Sequence, residues 1–512
     1  MNDARAQRAR GLLREGKTAE ALAEYQLLTR DDPGRAEYWY LRSIAEQQQR
    51  LGARARESID RALALEPGQP YFRLHSGRLA EDAGELPRAI EEFGRATQAK
   101  SDWPLAWASL GAALFEAKRA AEAVEALSRA VAANAGMVSA WNNLGLALAV
   151  LDRVDEARRA FAPAIAAEPR NAMAHLNLAR LHHNRGDFDR ALASATQAAQ
   201  LDGRLADAHL LAGDLHRKRR EESQALACYR TAAAAAPANP GGGNAVGELL
   251  WEMGALEEAR REYGANSRSH PGNLKAALGE RLLLPQVYEG KAQLEHCRRR
   301  YGGGLGELLA DPGRFAKGRP AEVLQDIRWC NFYLAYQGRD DRELQSLYGD
   351  FVHRVLEPVV PQWLEPRPRR SRGVARIRVG FLSHFFFDCT AGRYFSSWIR
   401  RLDPARFESF VYYINPYVSD DTRRIEAAAA HFRHLPGRPV IAVAQQVLAD
   451  DLDVLVYPEL GMHPDTFALA SLRLAPVQCA GWGHPTTTGL PTIDWFLSSE
   501  AMEPEGAQTQ YR

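Results

Sequence analysis

The chain has almost no net charge. Its 65 basic residues stand against 64 acidic ones, leaving +1 over 512 positions. That balance gives no support to nucleic-acid or membrane-surface binding, both of which draw on a cationic face. Cysteine is scarce: Cys228, Cys297, Cys330, Cys389 and Cys479 are scattered, odd in number and in no CxxC pair. A disulfide framework and a zinc site have no basis in that spacing, and free thiols in a reducing compartment are expected. No apolar run approaches the ~20 residues that a spanning helix needs. The opening MNDARAQRARGLLREGK lacks the apolar core of a signal peptide, so the cytoplasm is the expected location. There is no GxGxxG dinucleotide fingerprint and no nucleophile elbow. What is left is an ordinary composition, 46% hydrophobic and 25% charged, in a chain long enough for two or three domains. Heavy use of Ala and Arg fits a GC-rich bacterial genome.

What the sequence does have is a period. From Pro33, steps of 34 reach Pro67, Ser101, Ala135, Pro169, Gly203, Pro237 and Pro271 without a slip. The position twelve residues earlier is Ala in every unit, from Ala21, Ala55 and Ala89 to Ala259. Four residues after that Ala comes a mostly large residue: Tyr25, Ile59, Phe93, Leu127, Phe161, Ala195, Tyr229 and Tyr263. A further column holds Gly77, Gly111, Gly145, Gly213 and Gly247, and another holds Trp39, Trp107 and Trp141. Two antiparallel helices per unit explain the columns. Small residues let the backbones approach, a large residue fills the space beside them, and Pro ends the second helix. The pattern resembles the tetratricopeptide repeat, as eight units over residues 2–273. Such arrays form an α-solenoid whose groove holds peptides or partner proteins. Asn143 and Asn177 occupy equivalent positions of the first helix and are candidate contacts to an extended peptide backbone.

The beat stops after Asn273. Residues 274–365 read as a helical connector, in which the run Gly302–Gly304 is expected to break one helix. An Arg/Pro-rich linker follows over 366–375. From residue 376 the period changes. RIRVGFLS, FESFVYYIN, DVLVYPEL, APVQCAGWG and TIDWFLSS are short β-branched or aromatic runs. Helical stretches, among them RYFSSWIRRL, DTRRIEAAAAHFRHL and VIAVAQQVLADDL, lie between several of them. Strands alternating with helices predict a mostly parallel α/β sheet, with ligands beyond the carboxyl ends of its strands.

Three loops fall at such ends. The first, HFFFDCTAGRYF, supplies His384, Asp388, Cys389, Thr390, Gly392 and Arg393 and opens a helix, a place for an anion or a sugar hydroxyl. The second, PELGMHPD, brings Glu459 and His463 close in sequence, a pairing that a general base can use but that more often belongs to a helix-capping loop with an exposed His. The third, GWGHPTTTG, offers Gly483, His484, Pro485, Thr486, Thr487, Thr488 and Gly489. Glycines there admit a ligand close to the backbone, and Thr hydroxyls bond sugar or phosphate oxygens. Three consecutive β-branched residues also suit a plain turn into the next strand.

The order of these pieces, and the segment LRLAPVQCAGWGHPTTTG most specifically, resembles the protein O-linked N-acetylglucosamine transferases and their bacterial Spindly-like relatives. The resemblance implies a Rossmann-like lobe, residues 376–512, of a two-lobed glycosyltransferase fold. It implies transfer of N-acetylglucosamine from UDP-N-acetylglucosamine, or of another UDP- or GDP-linked sugar, to Ser or Thr of proteins chosen by the repeats, with no cofactor and no metal. It places His384 and His463 as catalytic candidates, and Gly483 to Gly489 with Arg393 on the donor side. Where family members often carry a His in the first loop, this chain has Cys389. The family continues with a second lobe beyond the equivalent of Arg512, so an incomplete enzyme is expected. The alternative is a non-catalytic scaffold with a vestigial lobe.

Overall fold

The 34-residue period is realised as pairs of helices. The unit at Pro104–Glu116 and Ala120–Ala133 is typical, with 13 and 14 residues. The computed structural model describes residues 2–329, 331–368, 376–484, 486–503 and 505–511. Most of the Arg/Pro-rich linker, Cys330 and Pro485 therefore lie outside the described residues. The chain divides into two compact units, Met1–Cys228 and Tyr229–Arg512. The repeats fill the first unit, and their last helices, Gly241–Glu252, Leu256–Ser269 and Leu274–Leu282, belong to the second.

All eight Ala of the invariant column are fully buried. The Gly column answers the column of large residues in space. A Cβ at Gly77 would stand 2.5 Å from the Phe93 ring, at Gly111 2.5 Å from Leu127, and at Gly145 2.5 Å from Phe161. The helices cross where glycine removes the obstacle, and the large side chain occupies the space so opened.

The Trp column extends further than the three tryptophans read from the sequence. Trp39 Nε1 donates to Pro33 O at 3.0 Å, Arg73 Nε to Pro67 O at 3.0 Å, Trp107 to Ser101 O at 2.8 Å and Trp141 to Ala135 O at 2.9 Å. His175 and His209 bond Pro169 O and Gly203 O in the same way. The residue type changes from unit to unit. The constant is an N–H on a side chain six residues after an inter-repeat carbonyl that the helix end leaves open.

In the second unit, helix Lys291–Ala310 runs unbroken through Gly302–Gly304, contrary to the expected break. Gly304 explains the run in part: a Cβ there would lie 2.8 Å from Arg281 Cβ. The glycine serves a close helix crossing. A helix α1 (Arg342–Leu356) precedes the sheet. The sheet has strands β1 (Ile377–Ser383), β2 (Phe407–Tyr413), β3 (His431–His434), β4 (Val454–Tyr457), β5 (Val477–Gly481) and β6 (Trp495–Leu497). Its order is β3-β2-β1-β4-β5-β6, with every neighbouring pair parallel. This is the order of a doubly wound α/β sheet.

Five of the strands fall on the runs read from sequence. β3 does not: HFRH closes what reads as one long helix, but that helix, α3 (Asp420–Ala428), stops early. β3 is an edge strand of four polar and aromatic residues that pairs only with β2, so neither its length nor an apolar pattern announces it. Helices α2 (Thr390–Arg400) and α3 cover one face, where Phe395, Ile399 and Ile425 meet Val379, Phe381 and Val411. The other face carries α4 (Val440–Ala449), α5 (Pro464–Ala470) and the connector helices. There Tyr301, Tyr348 and Phe351 share one core with Leu382, Tyr412 and Leu455. With both faces covered, β1 shows a continuous buried run rather than alternation.

Candidate functional site

β1 is flanked by β2 on one side and β4 on the other, so the chain reverses its direction of winding between β1 and β4. The crevice beyond the carboxyl ends at such a point is where ligands bind in sheets of this type. The loops after β1, β4 and β5 meet there. His384 and His463, separate in sequence, stack with ring centroids 3.6 Å apart and planes 10° from parallel. Glu459 lies beneath them, 1% exposed, and its Oε1 accepts from the His384 backbone amide at 3.3 Å. His484 reaches the same place from β5: a Cβ on Gly461 would lie 2.8 Å from its Nδ1. Gly461 has a positive φ of 104°, and a side chain there would strike the imidazole.

Each ring's proton follows from its partners. The Asn415 amide donates to His384 Nε2 at 2.8 Å, which places the neutral ring's proton on the buried Nδ1. The Asp465 backbone amide donates to His463 Nδ1 at 3.2 Å, so His463 caps α5 and its Nε2 carries the proton. Burial lowers the His384 pKa, and it lowers that of His463, also faced by His384, to about 4. Burial takes His484 to about 4 as well, and its Nδ1 meets Thr486 Oγ1 at 3.1 Å. Three neutral imidazoles therefore stand at the switch point at neutral pH.

Glu459 shifts the other way. Burial raises its carboxyl to about 7, with the nearby Ser383 and the His384 amide opposing, and Oε2 has no hydrogen-bond partner. Between the ordinary value of 4.5 and about 7 the unfolded chain releases this proton while the folded chain keeps it. Folded stability therefore falls as pH rises through that window and then levels. Glu459→Gln has no such group. Its advantage over the natural chain should grow from pH 5 to pH 8, by at most about 3 kcal/mol. Urea unfolding of both proteins at the two pH values checks this. Parallel pH curves would contradict the burial argument.

The other expected residues are placed differently. Cys389 is tied up as the cap of α2, its Sγ accepting from the Gly392 amide at 3.5 Å. A Cβ on Gly392 would lie 1.9 Å from Phe387 O, so that glycine serves the tight turn into α2. Arg393 is 72% exposed on α2, 3.7 Å from Asp421. Thr487 Oγ1 accepts from Gly489 N at 3.5 Å and Thr488 Oγ1 from Leu490 N at 3.2 Å, so both hydroxyls shape the turn. Gly483 and Gly489 lie against protein backbone: a Cβ at Gly483 would meet Pro458 O at 2.7 Å, and one at Gly489 would meet Gln345 O at 2.0 Å. In the repeats, Asn143 is partly exposed, while Asn177 is 5% exposed and donates to Asn142 Oδ1 at 3.0 Å. The two are not equivalent as contacts, because the Asn177 amide is committed within the stack.

Asn415, after β2, was missed by the sequence reading. Nothing nearby marks it, since its importance comes from facing His384 across the sheet. Among the described residues no group of three His, Cys, Asp or Glu is placed to hold a metal ion, and no helix is long and apolar enough to cross a membrane. Cys228, Cys297, Cys389 and Cys479 are free thiols.

Comparison with known proteins agrees with the repeat architecture. The tetratricopeptide repeat family model matches residues 7–70, 74–138, 109–161, 142–206 and 184–240. Over 179 residues the chain is 26% identical to the "Probable UDP-N-acetylglucosamine--peptide N-acetylglucosaminyltransferase SPINDLY" of Arabidopsis thaliana, a stretch that is 33% of this chain and 18% of that protein. It is 26% identical over 141 residues to the SEC protein of the same plant and the same printed activity, 27% of this chain and 14% of that one. The chain is thus homologous to these proteins over part of its length and spans under a fifth of theirs. Among solved structures, a mutant of the Thermobaculum terrenum O-GlcNAc transferase aligns at 21% identity and a TM-score of 0.43, over 66% of this chain and 56% of that one. YrrB, a TPR protein with an unusual peptide-binding site, aligns at 21% identity and a TM-score of 0.34, over 38% and 97%.

Proposed function

We propose that the chain acts in protein glycosylation. Its repeats hold a polypeptide, and the loops beyond β1, β4 and β5 serve transfer of N-acetylglucosamine from UDP-N-acetylglucosamine to a Ser or Thr hydroxyl of that polypeptide. The observation that carries this reading is the meeting of His384, His463, Glu459 and His484 at the switch point of a doubly wound sheet, in a chain that also bears tetratricopeptide repeats. The partial homology to SPINDLY and SEC supports it. In this reading the sheet is the Rossmann-like first lobe of a two-lobed glycosyltransferase fold. Gly483, His484 and the Thr486–Gly489 turn form the donor-side wall.

The reaction breaks the bond from the anomeric carbon to the diphosphate and forms one to the acceptor oxygen, whose proton must go to a base. His463 is the assigned acceptor of that proton. Its ring is neutral above about pH 4, and its lone pair is held by a single 3.2 Å bond from the Asp465 amide, which a substrate hydroxyl can replace. His384 keeps the His463 ring in plane by stacking and is itself fixed by Asn415. The test is transfer of labelled N-acetylglucosamine to a panel of proteins and Ser/Thr peptides. His463→Ala should lose about 100-fold or more in rate. The acid limb of the rate profile should fall near the lowered His463 value of about 4, well below an ordinary imidazole. An acid limb at the ordinary histidine value would remove His463 from the role.

The second reading, a non-catalytic protein-binding scaffold, is favoured by one observation. Both imidazole lone pairs and the Thr487 and Thr488 hydroxyls already have intramolecular partners. Absence of transfer, together with partner proteins retained through the repeats, would decide for it.

A further inference from the structure

Within the first unit, the junction between the fifth and sixth repeats departs from the packing of its neighbours. Position 158 belongs to a 34-residue column that reads Leu22, Arg56, Ile90, Val124, Arg158, Leu192, Leu226 and Arg260. At the two preceding junctions Ile90 packs in one apolar core with Leu114, and Val124 with Leu148. At this junction the same two columns hold Arg158 and His182. A cavity of about 630 Å³ opens there between helices Val154–Ala167, Ala172–Asn184 and Phe188–Leu201. A second of about 320 Å³ adjoins it and shares Arg158, His182 and Arg190.

The column holds arginine at two other places, and each has its carboxylate. Arg56 meets Glu85 at 2.6 Å, and Arg260 meets Glu257 at 2.8 Å. The position equivalent to Glu85 is here Asp187, one methylene shorter. Its Oδ1 accepts from the Arg190 backbone amide at 3.4 Å and so caps helix Phe188–Leu201. Its Oδ2 lies 3.4 Å from Arg190 Nη1 and 3.8 Å from His182 Nδ1. The Arg158 guanidinium has no ion pair or hydrogen bond among the described residues. Arg185 stands 3.5 Å from Asp155, and the Arg185 and Arg190 side chains are 52% and 72% exposed. Three arginines thus line the cavity against two aspartates, one positive charge in excess. Burial keeps His182 neutral, with Arg190 and Arg158 adding to the lowering of its pKa and Asp187 opposing it.

We propose that this cavity binds a phosphomonoester, held by Arg158 with Arg185 and Arg190 turned onto the same phosphate. A phosphomonoester carries about −1.5 to −2 charge at neutral pH and three terminal oxygens, one for each guanidinium fork. A carboxylate brings a single charge and two oxygens. Exposed ion pairs as long as those of Arg185 and Arg190 hold their side chains weakly, so little opposes the turn. The volume lies in the range of small-molecule sites and leaves room for the organic part of the ester beside the phosphate. Two sources share this chemistry: a phosphorylated Ser or Thr of a bound polypeptide, and a free sugar phosphate. Nothing in this binding depends on sugar transfer, so it stands or falls apart from the glycosylation reading.

The experiment uses the full chain with no sugar nucleotide, at an ionic strength of about 20 mM, because salt screens exposed guanidiniums. Inorganic phosphate, N-acetyl-phosphoserine amide and glucose 6-phosphate are titrated by phosphorus NMR, with N-acetyl-aspartate amide as competitor. The phosphates should bind saturably at one site, and the aspartate amide should displace them only at about tenfold higher concentration. Arg158→Leu installs the residue that the column carries at Leu22, Leu192 and Leu226, so the repeat keeps its packing. It should weaken phosphate binding about tenfold or more, with circular dichroism and melting unchanged. Asp187→Glu keeps every arginine but sets the longer carboxylate of Glu85 opposite Arg158, and should weaken binding about fivefold. Arg129→Ala, elsewhere in the repeats, should leave it as it is. Saturation by none of the three phosphates, or equal binding to folded Arg158→Leu, would overturn the site. An aspartate amide that competes as well as phosphate would overturn the assigned ligand class. With the site upheld, tighter binding of the phosphoserine amide than of glucose 6-phosphate assigns a phosphorylated polypeptide, and the reverse assigns a sugar phosphate.

Discussion

Gly489→Ala is expected to detach the GHPTTTG turn from α1, at a cost of about 3–5 kcal/mol to the second unit. Two penalties combine. Gly489 has φ +68°, a conformation that costs an L-residue roughly 1–2 kcal/mol. A Cβ there would also lie 2.0 Å from Gln345 O and 2.1 Å from Gln345 C, main-chain atoms of a helix that cannot swing aside, and such overpacking costs about 1–3 kcal/mol or more. The contact is reciprocal: a Cβ on Gly349, one turn along α1, would stand 2.1 Å from Gly489 O. Gly349→Ala should therefore reproduce most of the effect from the other side. Amide hydrogen exchange is the suitable probe, because two units need not unfold together. Protection should fall over residues 480–490 and along α1 in both variants and stay unchanged in the repeats of the first unit. Unchanged protection in either variant would contradict the close approach.

Gln478→Leu should cost a similar amount, about 3–5 kcal/mol, for a different reason. Gln478 is fully buried, its Oε1 accepts from Leu474 N at 2.9 Å, and its Nε2 donates to Leu472 O and Thr492 O, both at 2.9 Å. Leucine of similar size leaves one N–H and two carbonyls buried without partners, each worth about 1–3 kcal/mol. Its backbone amide also donates to Asp494 Oδ2 at 2.7 Å, the atom that Arg473 Nη1 meets at 2.6 Å. Gln478 thus ties the end of α5, β5 and the turn before β6 into one network. Urea unfolding followed by tryptophan fluorescence should show the midpoint drop, and Gln478→Glu should not restore it, because its carboxylate would face the Leu472 and Thr492 carbonyls with no N–H to donate. A loss below about 1 kcal/mol would mean that water replaces the amide.

These two residues also show what a sequence can and cannot disclose. The Ala and Gly columns were legible because each repeats its environment every 34 residues, so eight units report one contact. The parallel strands were legible because burial on both faces forces apolar runs. The candidate loops were legible as Gly-, His- and Thr-bearing turns after strand ends, but the structure gives several of those glycines and threonines packing and turn roles that the sequence did not separate from ligand contacts. Gly489 was seen as a glycine that admits a ligand, but its partner is a helix more than a hundred residues earlier, and no local pattern carries that information. Gln478 was seen as part of a family-specific run, and the structure gives it a framework role that composition does not reveal. The Trp column was legible only in part, and Arg73, His175 and His209 went unrecognised as members because its constant is a donor, not a residue type. At the crevice the sequence supplied His384, Glu459, His463 and His484 separately. Their stacking, their tautomers and the partner Asn415 come from the sheet order alone, which brings β1 beside β4.

The measurement that bears most directly on the central claim is a calorimetric titration of the purified chain with UDP-N-acetylglucosamine and with UDP. The glycosylation reading predicts saturable binding of the sugar nucleotide, weakened by His484→Ala and left unchanged by Arg129→Ala in the repeats. No binding at millimolar nucleotide, from a sample with intact helical circular dichroism, would contradict it.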